Sequence, residues 1–194
     1  MGVLFPPDHI LASGKLGIFI IDVEEYFLGQ VKHTPEYLKL VAANRQLIQF
    51  GLDHPLRTIT YLISYTDEVS VRASFPELEP RFKKASPASL RFYSKNHDSS
   101  FDGTRLMADC ANADVGVVIA GGINSSACYA KTFVSGLRQE FVMLMPNDAH
   151  MDVDPRFSPH RINLRTSEFM QDHLAELFGR ICRRMPAERL YANV

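Results

Sequence analysis

Residues 113–137 read ADVGVVIAGGINSSACYAKTFVSGL, and this stretch decides the fold. Its first part, Ala113 to Ala120, is apolar without alternation, the pattern of a strand buried on both faces of a parallel sheet. Gly121-Gly122 ends the run, and Ser125 to Leu137 carries a helical pattern with Ser125 and Ser126 as N-cap candidates. Strand, tight turn and helix in that order is the start of a βαβ unit.

The same alternation extends in both directions. Leu16 to Ile21, Arg57 to Ile63, Ser89 to Tyr93 and Glu140 to Met145 are further short apolar runs, each ending at turn-forming or polar residues. Pro35 to Phe50 places Tyr37, Leu38, Val41, Leu47 and Ile48 at helical spacing behind Thr34 as N-cap and Pro35 as first helical residue. Gly103 to Ala111 is a shorter helix candidate. Ser167 to Arg184 is another, with Leu174, Leu177, Phe178 and Ile181 on one stripe. Residues 66–88 and 147–166 are rich in prolines and acids and read as long loops at the rim of a site. The expected fold is α/β: a three-layer α/β/α sandwich around a mainly parallel, Rossmann-like sheet, with residues 1–194 as a single domain.

Composition narrows the function classes. The 194 residues are 46% hydrophobic and 22% charged, which excludes a disordered chain. Twenty-one basic against 22 acidic residues give a net charge of -1, so no global field draws in nucleic acid or anionic lipid, and neither is an expected partner. No apolar run approaches the roughly 20 residues of a spanning helix. Met1 to Ile10 has neither the basic n-region nor the apolar h-region of a signal peptide. Three widely spaced cysteines, Cys110, Cys128 and Cys182, argue for a reducing compartment, and a soluble cytoplasmic protein is expected.

Ligands of open α/β sheets bind beyond the carboxyl ends of the strands. That edge collects Asp22, Ser64 to Asp67, Ser94-Lys95, Gly121 to Cys128 and Asn147-Asp148, bringing an acid, a lysine and a cysteine together. In a first helical turn, free N–H groups favour thiolate over thiol, so Cys128 is expected to alkylate faster than Cys110 and Cys182. On position alone, a small buried hydrophobe is the more usual role of a lone cysteine. Asp22 is either a general base for that thiol or a turn cap paired with Lys95.

Three blocks are recognisable: IFIIDVEEYF (18–27), KNHDSSFDGTRL (95–106), and VVIAGGINSSACYAKTFVSGL (117–137) followed by Asp148-Ala149. With them the chain resembles the isochorismatase-like cysteine hydrolases, a superfamily that includes nicotinamidases, N-carbamoylsarcosine amidases and isochorismatases. The resemblance covers about Leu16 to Ala149. It implies a catalytic triad of Asp22, Lys95 and Cys128, an oxyanion hole from the backbone N–H groups of Asn124 and Cys128, and a cis Ile123–Asn124 peptide. Phe27, Arg72 and Asn124 become candidate substrate contacts, with a homodimer or homotetramer as the expected assembly.

Departures refine the expected activity. Where the family often reads Gln-Asn-Asp after the aspartate, this chain has Val23-Glu24-Glu25-Tyr26. Nicotinamidase-type members bind a metal through an Asp-x-His and a further histidine after the second strand. Thr66, Glu68 and Arg72 stand at those places, no histidine lies between His54 and His97, and neither metal nor other cofactor is expected. Vinyl-ether cleavage by isochorismatases needs the acid but no nucleophilic cysteine. Cys128 therefore favours hydrolysis of a C–N bond in a small amide or carbamoyl compound through a thioester. The alternatives are an isochorismatase-type hydrolase using Asp22 as acid, and a catalytically silent ligand-binding homologue.

Overall fold

Each of the five apolar runs forms a strand in the computed structural model, which describes residues 14–152 apart from His33 and Ser126, together with 183–184. The strands are β1 (Lys15–Ile21), β2 (Thr58–Ser64), β3 (Leu90–Ser94), β4 (Val115–Gly122) and β5 (Val142–Met145). A two-residue β6 (Arg183–Arg184) adds to the edge, giving the order β3-β2-β1-β4-β5-β6 with every pairing parallel. Arg183 and Arg184 were expected to end a helix and are instead strand, paired with Leu144 and Met145. A two-residue strand has no periodicity to read; the open edge of β5 creates it. The remainder of that expected helix lies outside the described residues.

The helices are α1 (Glu25–Leu28), α2 (Pro35–Asp53), α3 (Glu68–Ala73), α4 (Glu79–Phe82), α5 (Leu106–Asn112) and α6 (Cys128–Arg138). Thr34 does cap α2, its hydroxyl accepting the Tyr37 N–H at 3.2 Å. Alternating side chains of the central strands divide the core. Leu16, Ile18, Ile20, Leu62, Val117 and Ile119 meet Leu40, Leu47 and Ile48 of α2 on one face. Phe19, Ile21, Tyr61, Ile63 and Val118 meet Leu106 and Cys110 of α5 and Tyr129 and Phe133 of α6 on the other. This is the three-layer α/β/α sandwich. Each fully buried aliphatic or aromatic side chain contributes roughly 1.5–3 kcal/mol relative to exposure.

Residues 66–88 are helical for much of their length, which corrects the expected loop. Asp67 caps α3 by accepting the Ser70 N–H, and Val71, Phe75, Leu78 and Phe82 are all buried. Their spacing of four, three and four is a helical stripe, broken into short turns by Pro76 and Pro80, each within the first two positions of its helical turn.

Strand register levels the functional edge. Ile21 pairs with Ile63 and with Gly122, and Ser64 pairs with Ser94. The first residues past these ladders, Asp22, Tyr65, Lys95 and Ile123, therefore emerge side by side. Close approach is possible because Gly122 has no side chain: at φ 135° an added Cβ would lie 2.1 Å from the Ile21 carbonyl oxygen.

Candidate active site

Asp22 leaves β1 in the left-handed region at φ 55°, which aspartate tolerates better than most residues, while its N–H donates to the Ile63 carbonyl at 2.8 Å. Lys95 continues the β3 ladder, its N–H donating to the Ser64 carbonyl at 2.8 Å. Their side chains meet as an ion pair, Lys95 Nζ to Asp22 Oδ2 at 2.9 Å, with 0% and 1% exposure. The ammonium also donates to the carbonyls of His97 (3.2 Å) and Asp98 (3.5 Å) and lies 3.6 Å from the centre of the Tyr65 ring. A buried charge needs such compensation, and here a carboxylate, two carbonyls and a π face supply it.

Cys128 is the first residue of α6, and its buried thiol completes the cluster with Asp22 and Lys95. Burial raises the Asp22 carboxyl to about 6 against the lowering effects of Lys95 and a hydrogen bond with Cys128. Burial and then the Asp22 charge push the Cys128 thiol up to about 11, with Lys95 opposing. This corrects the expectation that the elbow lowers the thiol pKa. Desolvation of the sulfur, and then the carboxylate beside it, favour the neutral thiol. Near neutral pH the resting pair is therefore a thiol and a carboxylate.

The elbow is held from below. The Ile123–Asn124 peptide is cis. Gly122 N–H donates to the Ala149 carbonyl at 2.7 Å, Ile123 N–H to Ile21 at 2.9 Å and Ser125 N–H to Met151 at 3.1 Å. The Asn124 carbonyl accepts the N–H groups of Ala127 and Tyr129. Ala127 is the N-cap of α6, in place of the expected serines: Ser125 Oγ instead bonds His150 Nδ1 at 2.7 Å, and Ser126 is outside the described residues. Buried Asn44 of α2 donates to the Ala149 carbonyl at 2.8 Å, which ties the Asp148-Ala149 block to the elbow through one shared acceptor.

The segment that carries Lys95 is fastened to the helix that carries Cys128. Ser100 N–H donates to Thr132 Oγ1 at 2.9 Å, Ser99 Oγ bonds Ser135 Oγ at 3.1 Å, and Thr104 Oγ1 donates to the Ser100 carbonyl at 2.7 Å. Phe101 stacks on Phe141 at 5.7 Å between ring centres. These bonds give the serine, threonine and phenylalanine positions of 95–106 a common task, which is to hold the lysine against the cysteine.

Three contributors were not assigned a site role from the sequence. Tyr65 covers Lys95 and donates its hydroxyl to Asp98 Oδ1 at 2.8 Å; burial and that carboxylate raise its pKa, so it stays protonated. Asp98 Oδ1 lies 4.0 Å from Cys128 Sγ, and Oδ2 pairs with Lys131. Buried Glu24 accepts from Ser64 Oγ (2.6 Å), the Tyr65 N–H (3.0 Å) and Thr66 Oγ1, fixing the turn that presents Tyr65. Two of them carried a signal, Glu24 as a departure from the family pattern and Tyr65 within Ser64 to Asp67 on the functional edge. Asp98 is an ordinary loop residue until the fold places it.

Among the candidate substrate contacts, Phe27 is half-buried, 6.1 Å from the Tyr65 ring, and Asn124 sits in the elbow. Arg72 has internal partners: Nε bonds Glu79 and Nη1 bonds Glu68, with Phe82 and Phe92 against its plane. Thr66 is held by Glu24 and Glu68 by Arg72, a donor set that does not suit a divalent cation. No group of three or more His, Cys, Asp or Glu among the described residues is placed to hold a metal ion. No helix among them is long and apolar enough to cross a membrane.

No family model and no curated protein matches the chain. Solved structures do. A cysteine hydrolase from Pseudomonas syringae pv. phaseolicola is 13% identical at a TM-score of 0.68, covering 98% of this chain and 95% of its own. A pyrazinamidase/nicotinamidase from Streptococcus mutans is 13% identical at 0.67, covering 88% of this chain and 100% of its own. A Mar1 ribonuclease from Caenorhabditis elegans is 16% identical at 0.62, covering 91% and 79%. The chain has the fold of these proteins and of the isochorismatase-like hydrolases.

Proposed function

We propose that this isochorismatase-like fold carries a cysteine hydrolase that cleaves a C–N bond of a small amide or carbamoyl compound. The observation that supports it most is the buried Asp22–Lys95 ion pair, 2.9 Å long, meeting the Cys128 thiol at the ends of β1, β3 and β4. Such a cluster costs stability in a hydrophobic setting, and its composition suits nucleophilic attack.

Asp22 takes the thiol proton as Cys128 Sγ attacks the carbonyl carbon. The oxyanion rests on the backbone N–H groups of Asn124 and Cys128, at the positive end of the eleven-residue α6. Asp22 returns the proton to the leaving nitrogen, so ammonia or an amine departs and a Cys128 thioester remains. Water, deprotonated by Asp22, attacks the thioester and releases the acid and the free thiol. Lys95 holds Asp22 ionised at rest and keeps its carboxyl aimed. A base with its pKa raised to about 6 is better matched to this shuttle than an ordinary carboxylate.

The test is ammonia release from a panel of small amides and carbamoyl compounds, run with Cys128→Ala in parallel. Wild-type release that falls by at least about 10³-fold in the variant is expected for a nucleophile. Release that survives Cys128→Ala, or none from any compound, overturns the reading.

A further inference from the structure

Asp98 has no part in the proton shuttle, yet its Oδ1 lies 4.0 Å from the nucleophilic sulfur. We infer that Asp98 is a specificity-determining residue, selecting substrates that present an N–H or cationic group beside the attacked carbonyl and rejecting those that present an anion there. The inference rests on the cysteine-hydrolase reading above and adds a substrate class to it.

A carbonyl carbon poised for attack sits about 3–3.5 Å from Sγ. A group bonded to that carbon then comes within hydrogen-bond reach of a carboxylate oxygen 4.0 Å from the same sulfur. An ionised carboxylate only accepts, and each oxygen has about two acceptor sites. Oδ1 accepts the Tyr65 hydroxyl at 2.8 Å and, at rest, the Cys128 thiol at 4.0 Å; once the thiol has given up its proton to attack, that second site is open to a substrate N–H. Lys131 and Tyr65 hold the carboxyl below its usual range, so it is charged at neutral pH. Its place is built rather than incidental: Ser99 and Ser100, the next two residues, are tied to Ser135 and Thr132 of α6. Lys131 stands on the outer oxygen and is largely exposed, so it screens Asp98 from outside and leaves the inner oxygen facing the sulfur.

Charge selectivity at Cys128 can be read without turnover. Iodoacetamide offers an N–H₂ group and iodoacetate an anion, and both are displaced at the same CH₂ by Sγ, with iodide leaving and the thiol proton passing to Asp22 and solvent. Their rates at Cys128, followed by peptide mass mapping and normalised to a free cysteine, give a preference ratio. The wild type is expected to favour iodoacetamide by at least about tenfold. Asp98→Asn brings the ratio to within about twofold of unity, and Lys131→Met, which removes the counter-charge, raises it. Equal ratios in wild type and Asp98→Asn overturn the inference. Should that variant fail to fold, an unchanged ratio in Lys131→Met overturns it instead. Cys128 that resists both reagents removes the accessible nucleophile and with it the hydrolase reading, an outcome distinct from a reactive Cys128 without charge preference.

Discussion

Cys110 and Cys128 share one face of the sheet, both are buried, and both thiols are pushed up to about 11, yet their neighbourhoods differ in kind. Cys110 in α5 packs beneath the strands, with the Tyr61 side chain as a neighbour. Cys128 has Asp22, Lys95 and Asp98 around it. Burial is the main cause of the raised value at both, so resting pKa does not separate a packing thiol from a nucleophile. The difference lies in the neighbours: Cys128 lies beside carboxylates, Asp22 among them, that can take its proton, and Cys110 lies near a neutral phenol that cannot.

Removing that base is the largest test of the contrast. Asp22→Asn is expected to lower turnover by about 10²–10⁴-fold and to slow Cys128 alkylation, with Cys110 unchanged. Ammonia release and site-resolved alkylation check it, and parallel slowing at both cysteines would mean a general loss of packing.

pH separates the two thiols next. The carboxylate of Asp22 is the accepting form, so activity and Cys128 alkylation fall about tenfold per unit as pH drops below about 6. Cys110 has no such inflection, and its rate climbs with pH up to about 11. A pH–rate profile of each site reads both slopes. Stability runs with the opposite sign. Because folding raises the Asp22 pKa, its favourable contribution is full below the unfolded value and is lost as pH rises through about 6.

The smallest effects concern support. Cys110→Ala should cost roughly 1 kcal/mol in unfolding free energy while leaving turnover within about twofold. Thr132→Val removes the acceptor of the Ser100 N–H, costs roughly 1–3 kcal/mol and lowers turnover several-fold, since Lys95 loses an anchor of its segment. Denaturant melts and steady-state rates distinguish the two variants.

Much of this was legible in the chain. The five principal strands register as apolar runs because strands buried on both faces admit little else, as in 117–120 and 59–63. Asp22, Lys95 and Cys128 follow from the rule that ligands gather past strand ends. Short helices between 68 and 82 were obscured by Pro76 and Pro80, and β6 was hidden because two residues have no period.

By itself, the order of residues determined the layered α/β architecture and the three polar groups on one edge, since hydrophobic periodicity and turn chemistry are local properties. Tertiary structure alone decided their chemistry. Whether Cys128 rests as thiol or thiolate depends on how deeply it is buried and how near Asp22 lies, and desolvation is a property of the surrounding packing. Tyr65 over Lys95, Glu24 under the turn and Asp98 beside the sulfur are likewise contacts between segments 30 or more positions apart. No local pattern encodes such pairs, because they exist only once the parallel sheet has brought its strand ends level.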